Sequence, residues 1–300
     1  MTRTREIPVF INRSSGSAAR GDGEVGDIRA AFQAAGLKVR VKLVDGAAIP
    51  EQVQKAANAG AELVIVGGGD GTISAAAGTL AGTGTSLAIL PLGTLNHFAR
   101  DLGIPMKLDE AAKVIAAGQT RVVDVAEVNG RTFINNSVIG LYPLMVIDRD
   151  LQQHRLGRSK RFAMVVAALR TLARFHHDRL TLTVNDEQAR LDTPLLFVGN
   201  NDYRIDIGAP GQRESIEDGR LSVFVMRKKT RSGFIAASIR ALFNRARADD
   251  MVQLENVDRL RVSTRKRMLA VSLDGEVVRA EPPLEYKIRP RALRVIAPKG

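Results

Sequence analysis

The 300-residue chain has no cysteine, no tryptophan and four histidines: His97, His154, His176 and His177. Without cysteine there are no disulfides, thiolate zinc sites, thiol nucleophiles or iron–sulfur clusters. Four imidazoles are poor material for a histidine-rich zinc site, so any metal is expected to be a hard cation held by oxygen. Aromatics make up 4% of the residues, a thin supply for a base-stacking nucleic-acid surface. No Gly-Lys dipeptide occurs, which removes the Walker A loop. The apolar run before Asn12 is too short for a signal peptide. Residues 71–99 carry no charge, yet five glycines, five threonines and Pro91 interrupt them. That texture fits turns and strand ends, not a membrane span. The expectation is a chain that is soluble or rests on a membrane surface.

What remains is ample for folding: 45% hydrophobic and 25% charged residues support two domains of ordinary size. The net charge of +12 has an address. Residues 151–180 hold Arg155, Arg158, Lys160, Arg161, Arg170, Arg174 and Arg179 against Asp178, and residues 227–247 hold seven bases and no acid. Each stretch contains a helical apolar pattern, Phe162 to Leu172 and Phe234 to Phe243. Basic amphipathic helices read either as surfaces for anionic lipid, nucleic acid or an acidic ligand, or as core-packing helices with solvated faces.

Residues 1–122 alternate strand and helix signals, with strands at 7–11, 37–44, 61–66 and 86–90. The continuous apolar run 61–66 fits a parallel sheet covered on both faces. This rhythm predicts a doubly wound α/β domain with a mostly parallel sheet. Residues 123–288 read as short strands joined by turns, beginning with the hairpin signal Asn129-Gly130, and predict a mainly antiparallel β-sandwich with the two basic helices as insertions. The segment 289–300 is expected to return to the first domain.

The chemistry sits at strand ends. Gly67-Gly68-Gly69-Asp70-Gly71-Thr72 follows strand 61–66 and precedes a helix. Glycines there let backbone N–H groups approach a phosphate, and the helix N-terminus adds positive potential. Asp70 would repel bare phosphate unless a divalent cation bridges the two. A glycine-rich turn with a capping Asp remains the plainer alternative. Asn12 to Gly16, after the first strand, is a weaker phosphate cradle. The next strand end carries Pro91-Leu92-Gly93-Thr94-Leu95-Asn96-His97-Phe98-Ala99-Arg100-Asp101-Leu102-Gly103-Ile104-Pro105. Neighbouring strands of a parallel sheet deliver such loops to one crevice.

Together these loops resemble the diacylglycerol kinase catalytic family, which includes bacterial lipid kinases and the sphingosine and ceramide kinases. Val198-Gly199-Asn200-Asn201-Asp202-Tyr203, Glu217-Asp218-Gly219-Arg220-Leu221 and Leu273-Asp274-Gly275-Glu276 extend the resemblance over the chain in the right order. It implies an NAD-kinase-like first domain and an ATP- and Mg²⁺-dependent lipid kinase. ATP would be held by Gly68, Gly69, Asp70, Gly71, Thr72, Ile73, Ser74 and Thr94, with Asn96 and the loop of Asn12, Ser14 and Gly16 nearby. Glu276 would be the general base, and Asp70 would reach the catalytic Mg²⁺. Asp218 and main-chain oxygens of Ser215 and Arg220 would hold a structural Mg²⁺. Phosphoryl transfer needs a metal near the phosphates and a carboxylate to take the hydroxyl proton, and Asp101 and Asp124 stay open as alternatives. On spacing alone, Asp218-Gly219 and Asp274-Gly275 also read as hairpin turns, and His97 as a helix-surface or capping residue.

Three departures stand out. Arg13 follows Asn12 where the family has proline, Ser74-Ala75 replaces a polar pair, and no threonine lies near residues 42–45. The implied partners are a lipid substrate and an anionic membrane surface at the cytoplasmic side of the inner membrane, with no nucleic acid and a homodimer left open. The rivals are a soluble NAD- or sugar-type kinase, a nucleic-acid-binding protein, and a non-catalytic nucleotide or lipid sensor.

Overall fold

The computed structural model describes residues 6–15, 22–156, 166–167, 170–171, 173, 175–184, 186–203, 213, 215–228, 230–242 and 250–299. Two compact units form, Met1–Val125 with Arg289–Gly300, and Ala126–Ile288. The chain passes from one to the other within two of its strands.

The first unit runs β1 (Ile7–Asn12), α1 (Asp22–Ala34), β2 (Val39–Val44), α2 (Ile49–Asn58), β3 (Leu63–Gly68), α3 (Asp70–Leu80), β4 (Ser86–Pro91), α4 (His97–Asp101), α5 (Leu108–Ala117) and the start of β5 (Thr120–Val128). The strands are parallel in the order β2-β1-β3-β4, and the end of the C-terminal strand lies beside β4 through Val295 and Leu87. Every residue of β4 is buried and all but the first of β3. Both faces are covered, because α1 packs with α5 and α2 with α3. Each fully buried aliphatic side chain, such as Val66 or Ile89, contributes roughly 1.5–3 kcal/mol. Pro50 stands in the first turn of α2, where its missing N–H costs no helix bond, and Gly118 ends α5 in the left-handed conformation. This is the expected doubly wound layout.

The second unit continues with β6 (Arg131–Phe133), β7 (Asn136–Gly140), α6 (Leu141–Leu156), β8 (Asp178–Val184), β9 (Glu187–Thr193), β10 (Leu195–Asn200), β11 (Leu221–Met226), α7 (Arg231–Leu242), β12 (Met251–Val257), β13 (Arg259–Ser263), β14 (Leu269–Leu273), β15 (Glu276–Ala280) and β16 (Leu284–Ile296). One antiparallel sheet has the order β12-β11-β10-β7-β14-β15. A second layer carries β16, β13, β8 and β9. Val198, Val223 and Val271 from the first pack with Leu180, Leu260 and Tyr286 from the second in one core, so the antiparallel sandwich is as expected.

Two local features differ from the sequence reading. The hairpin at Asn129-Gly130 forms, both residues at positive φ, but its second strand stops at Phe133 and the chain re-enters the other sheet at Asn136. The sixteen-residue helix α6 was not expected. Its opening Leu-Tyr-Pro-Leu-Met-Val is a short apolar run, which periodicity cannot divide between strand and helix. Helix α7 coincides with the second basic pattern. Most of the first, including Phe162, Val165, Leu169 and Leu172, lies outside the described residues, as do Phe243 and Gly16. Among the described residues no helix is long and apolar enough to cross a membrane.

Candidate active site

In the first unit, three parallel strands end at one place. Asn12 closes β1, Gly68 closes β3 and Pro91 closes β4. Between β3 and α3 only Gly69 intervenes, and it caps the helix without a side chain. The first-turn N–H groups of α3 therefore have no side-chain cap, and a helix leaves such donors for a ligand.

The glycine loop and the loop after β4 meet directly. A Cβ built on Gly93 would overlap the Cα of Gly69 and approach Asn96 Oδ1 to 2.7 Å. A Cβ on Gly68 would stand 2.6 Å from Thr72 Cβ. A side chain is thus sterically barred at Gly93, where the two turns touch, and at Gly68 by Thr72. Asn96 sits at φ 51 in the left-handed region. Its amide accepts from Gly93 N–H at 2.9 Å and donates to the Gly93 oxygen at 2.8 Å. What Asn96 contributes is the shape of the turn, which leaves Thr94 and Leu95 exposed at its tip.

Asp70 links the same pieces. Its Oδ1 accepts from the Phe98 N–H at 3.3 Å, tying the start of α3 to α4. Asn12 donates Nδ2 to Thr72 Oγ1 at 2.7 Å, while its Oδ1 accepts from the Ser14 amide at 3.1 Å and hydroxyl at 2.9 Å. Asn12, Ser14, Gly68, Gly69, Asp70, Thr72, Gly93 and Asn96 form one connected cluster, with Gly71 and Ser74 in the opening turns of α3 and Thr94 at the rim. Ile73 differs in kind: its side chain is core, and its N–H donates to the Gly69 oxygen. His97 is exposed as the first residue of α4. The open backbone donors fit a phosphate, and Asp70 beside them fits a cation that accompanies one.

The second unit gathers its own motifs along one rim of the six-stranded sheet. The register places Gly199 opposite Asn136, Asn200 opposite Leu221, and Leu273 opposite both Ser137 and Glu276. Asp218, Asn200–Tyr203, Ile134–Asn136 and Asp274–Glu276 therefore sit at adjoining strand ends. Asp274 is the anchor. Its carboxylate accepts from the N–H groups of Ile134 at 2.9 Å, Asn135 at 2.8 Å and Asn136 at 3.0 Å. The Asp274-Gly275 pair is a true hairpin turn at φ 49 and 88, and it holds Glu276 exposed at the start of β15.

Asp218-Gly219 is no tight hairpin turn: it lies at the end of the long connection between the antiparallel strands β10, which ends at Asn200, and β11, which begins at Leu221. Gly219 donates to Asn201 Oδ1 at 3.0 Å, and the Arg220 oxygen accepts from Asn201 N–H at 2.9 Å. Asp218, Ser215, Asp202 and Arg220 line a polar cavity of about 490 Å³. Among the described residues no group of three acidic, His or Cys side chains is gathered for a metal. The Asp202, Asp218 and Glu255 carboxylates in the cavity lining, though set beside the Arg220 guanidinium, are the kind of oxygen donor that suits Mg²⁺, which keeps several of its waters. Asp124 is buried and accepts from the Arg291 N–H at 2.7 Å, so it holds strands together.

The sequence reading missed the anchoring by Asp274 and by Arg213. The Arg213 guanidinium donates to the Ile134 oxygen and, at 3.1 Å, to Asn135 Oδ1. Arg213 stands in no motif. Tyr286 was missed too: its buried hydroxyl bonds Ser137 Oγ at 2.9 Å, and burial pushes its pKa well above the ordinary 10.0.

Residues 6–128 match the family model described as the diacylglycerol kinase catalytic domain, and residues 146–297 match that of the YegS C-terminal NAD kinase beta sandwich-like domain. A protein of Pseudomonas aeruginosa strain PAO1 named "Probable lipid kinase YegS-like" is 33% identical over 296 residues, covering 93% of this chain and 91% of its own length. An uncharacterized Synechocystis protein, sll0036, is 29% identical over 247 residues, and the match covers 80% of this chain but 55% of that relative. The crystal structure of a Bacillus anthracis protein titled as a diacylglycerol kinase superposes with a TM-score of 0.69 at 21% identity, covering 99% of this chain and 98% of the other. That likeness speaks to the fold.

Proposed function

The chain belongs to the YegS-like lipid kinase family, and from that premise we propose that it transfers the γ-phosphoryl group of ATP to the hydroxyl of diacylglycerol or a related membrane lipid. The observation that carries the proposal is the contact of two turns at Gly69 and Gly93 beside the uncapped start of α3. Backbone donors of that turn bind the phosphates, and Asn12, Thr72 and Asn96 keep the loops in shape. Mg²⁺, when bound, supplies positive charge to the phosphate oxygens. Asp70 would hold it at the nucleotide, with Asp218 and the Ser215 and Arg220 main-chain oxygens holding a second, structural ion.

Glu276 acts as the base. Its carboxylate takes the lipid hydroxyl proton, the oxygen bonds the γ-phosphorus, and the bond to the β,γ-bridging oxygen breaks to release ADP. We place the reaction at the inner face of the cytoplasmic membrane, where ATP and the lipid hydroxyl are both available. The test is incubation with γ-labelled ATP, Mg²⁺ and a panel of lipids in detergent. Labelled lipid is expected from the wild type, with a loss of about a hundredfold or more in Glu276→Gln and in Asp70→Asn. No labelled lipid from the wild type would remove the proposal, and full activity of Glu276→Gln would remove the assigned base.

A further inference from the structure

The second unit carries a cationic groove that none of these roles uses. Strand β9 is the edge of its layer and pairs along its whole length with β8, which pairs in turn with β13. Arg190 lies opposite Thr181, and Thr181 opposite Ser263. Directly opposed residues share a face, and alternate residues do too, so Arg179 and Asp192 join that row. The opposite face, with Leu180, Leu182 and Val262, is core. The solvent face borders a groove of about 760 Å³.

Four cations line it, Arg179, Arg190, Arg265 and Lys266, against the single carboxylate of Asp192. Lys266 is engaged with buried Asp178, and Arg179 stands 3.6 Å from Asp192. Arg190 and Arg265 are exposed and make no ion pair with any described residue. The groove continues into the β13–β14 loop, Thr264-Arg265-Lys266-Arg267-Met268, where Met268 is 43% exposed beside three consecutive bases.

We propose that this groove and loop dock the protein on a bilayer rich in anionic phospholipid. The Thr181 and Ser263 hydroxyls with Arg190 and Arg265 meet headgroup phosphates, and Met268 enters the interface. Hydroxyls beside unpaired guanidinium groups suit phosphate. An apolar tip among bases suits a membrane, and the groove's lining holds no Phe, Tyr or Trp, its one ring being His177, packed edge-on against Phe175. The inference rests on the lipid-kinase reading only for the substrate's place in a membrane; the docking is measured without nucleotide.

The experiment is co-sedimentation with vesicles of phosphatidylglycerol in phosphatidylcholine, compared with pure phosphatidylcholine, with free inorganic phosphate as a competitor. A charge-matched control is Arg29→Glu/Lys113→Glu, two exposed bases of the first unit. Wild type and control are expected to bind the anionic vesicles alike. Arg190→Glu/Arg265→Glu should bind them at least tenfold more weakly, and Arg190→Gln/Arg265→Gln by an intermediate factor, with unchanged Tm and unchanged turnover of detergent-dispersed lipid. Millimolar inorganic phosphate should leave vesicle binding in place. Equal loss in the control, no loss in the groove variant, displacement by phosphate, or binding to duplex DNA in preference to vesicles would each overturn the proposal. Vesicle binding by a wild type that transfers no phosphate would sustain this surface and remove the kinase reading.

Discussion

At Gly93 and Asp274 the cost of a single substitution can be read from geometry. A Cβ on Gly93 has nowhere to go but into the backbone of Gly69, and backbone does not yield as a flexible side chain does. Gly93→Ala should therefore part the two turns and cost about 1–3 kcal/mol of stability, seen as a lower Tm. Asp274→Ala removes two acceptor oxygens and three hydrogen bonds at once and strands the N–H groups of residues 134–136. We expect a loss of about 3 kcal/mol, or roughly 10 °C in Tm, with Asp274→Asn retaining part of it. An equal Tm for Asp274→Ala and wild type would show that this anchor carries no weight.

Tyr286 gives a pH signature. Because burial raises its folded-state pKa above the unfolded 10.0, its contribution is present below about pH 10 and is lost as pH rises beyond that value. Denaturant titrations from pH 8 to 11 should show wild-type stability falling more steeply than that of Tyr286→Phe. Parallel curves would contradict the buried, neutral phenol.

At the scale of elements, the legible parts were those with local signals. The central strands β3 and β4 of the parallel sheet are continuous apolar runs, and the glycine loop marks its own turn between β3 and α3. The Asn129-Gly130 hairpin carries its turn type in two residues. What stayed hidden depends on residues far apart in the chain. Nothing in Phe-Ile-Asn-Asn-Ser says that a strand ends at Phe133 and another starts at Asn136. The reason is Asp274, some 140 residues on, which takes up the freed N–H groups. Likewise Asp218-Gly219 looks like any turn until Asn201 is seen to hold it. The GGGDGT and PLGT loops were readable as phosphate chemistry, but their mutual contact through Gly69 and Gly93 needed coordinates.

For the whole molecule, the charge of +12 predicts salt-sensitive association with anionic surfaces. Raising the salt from 50 to 500 mM should release most of the protein from phosphatidylglycerol vesicles, because the Debye length contracts from about 13 Å to about 4 Å. Retention at high salt would mean that apolar insertion, not charge, dominates. The sequence pattern drew attention to residues 151–180 and 227–247, and the RKR run at 265–267 escaped it because three bases in a row look like an ordinary exposed turn. Only the register of β9, β8 and β13 puts that run beside Arg190.

The central claim is that the turns at Gly69 and Gly93 together grip the phosphates of a nucleotide. Calorimetric titration of the full chain with a non-hydrolysable ATP analogue and Mg²⁺ tests it most directly. The account predicts saturable uptake at one site by the wild type and affinity at least tenfold weaker in a folded Gly93→Ala. No uptake by the wild type, or equal affinity in the variant, would contradict it.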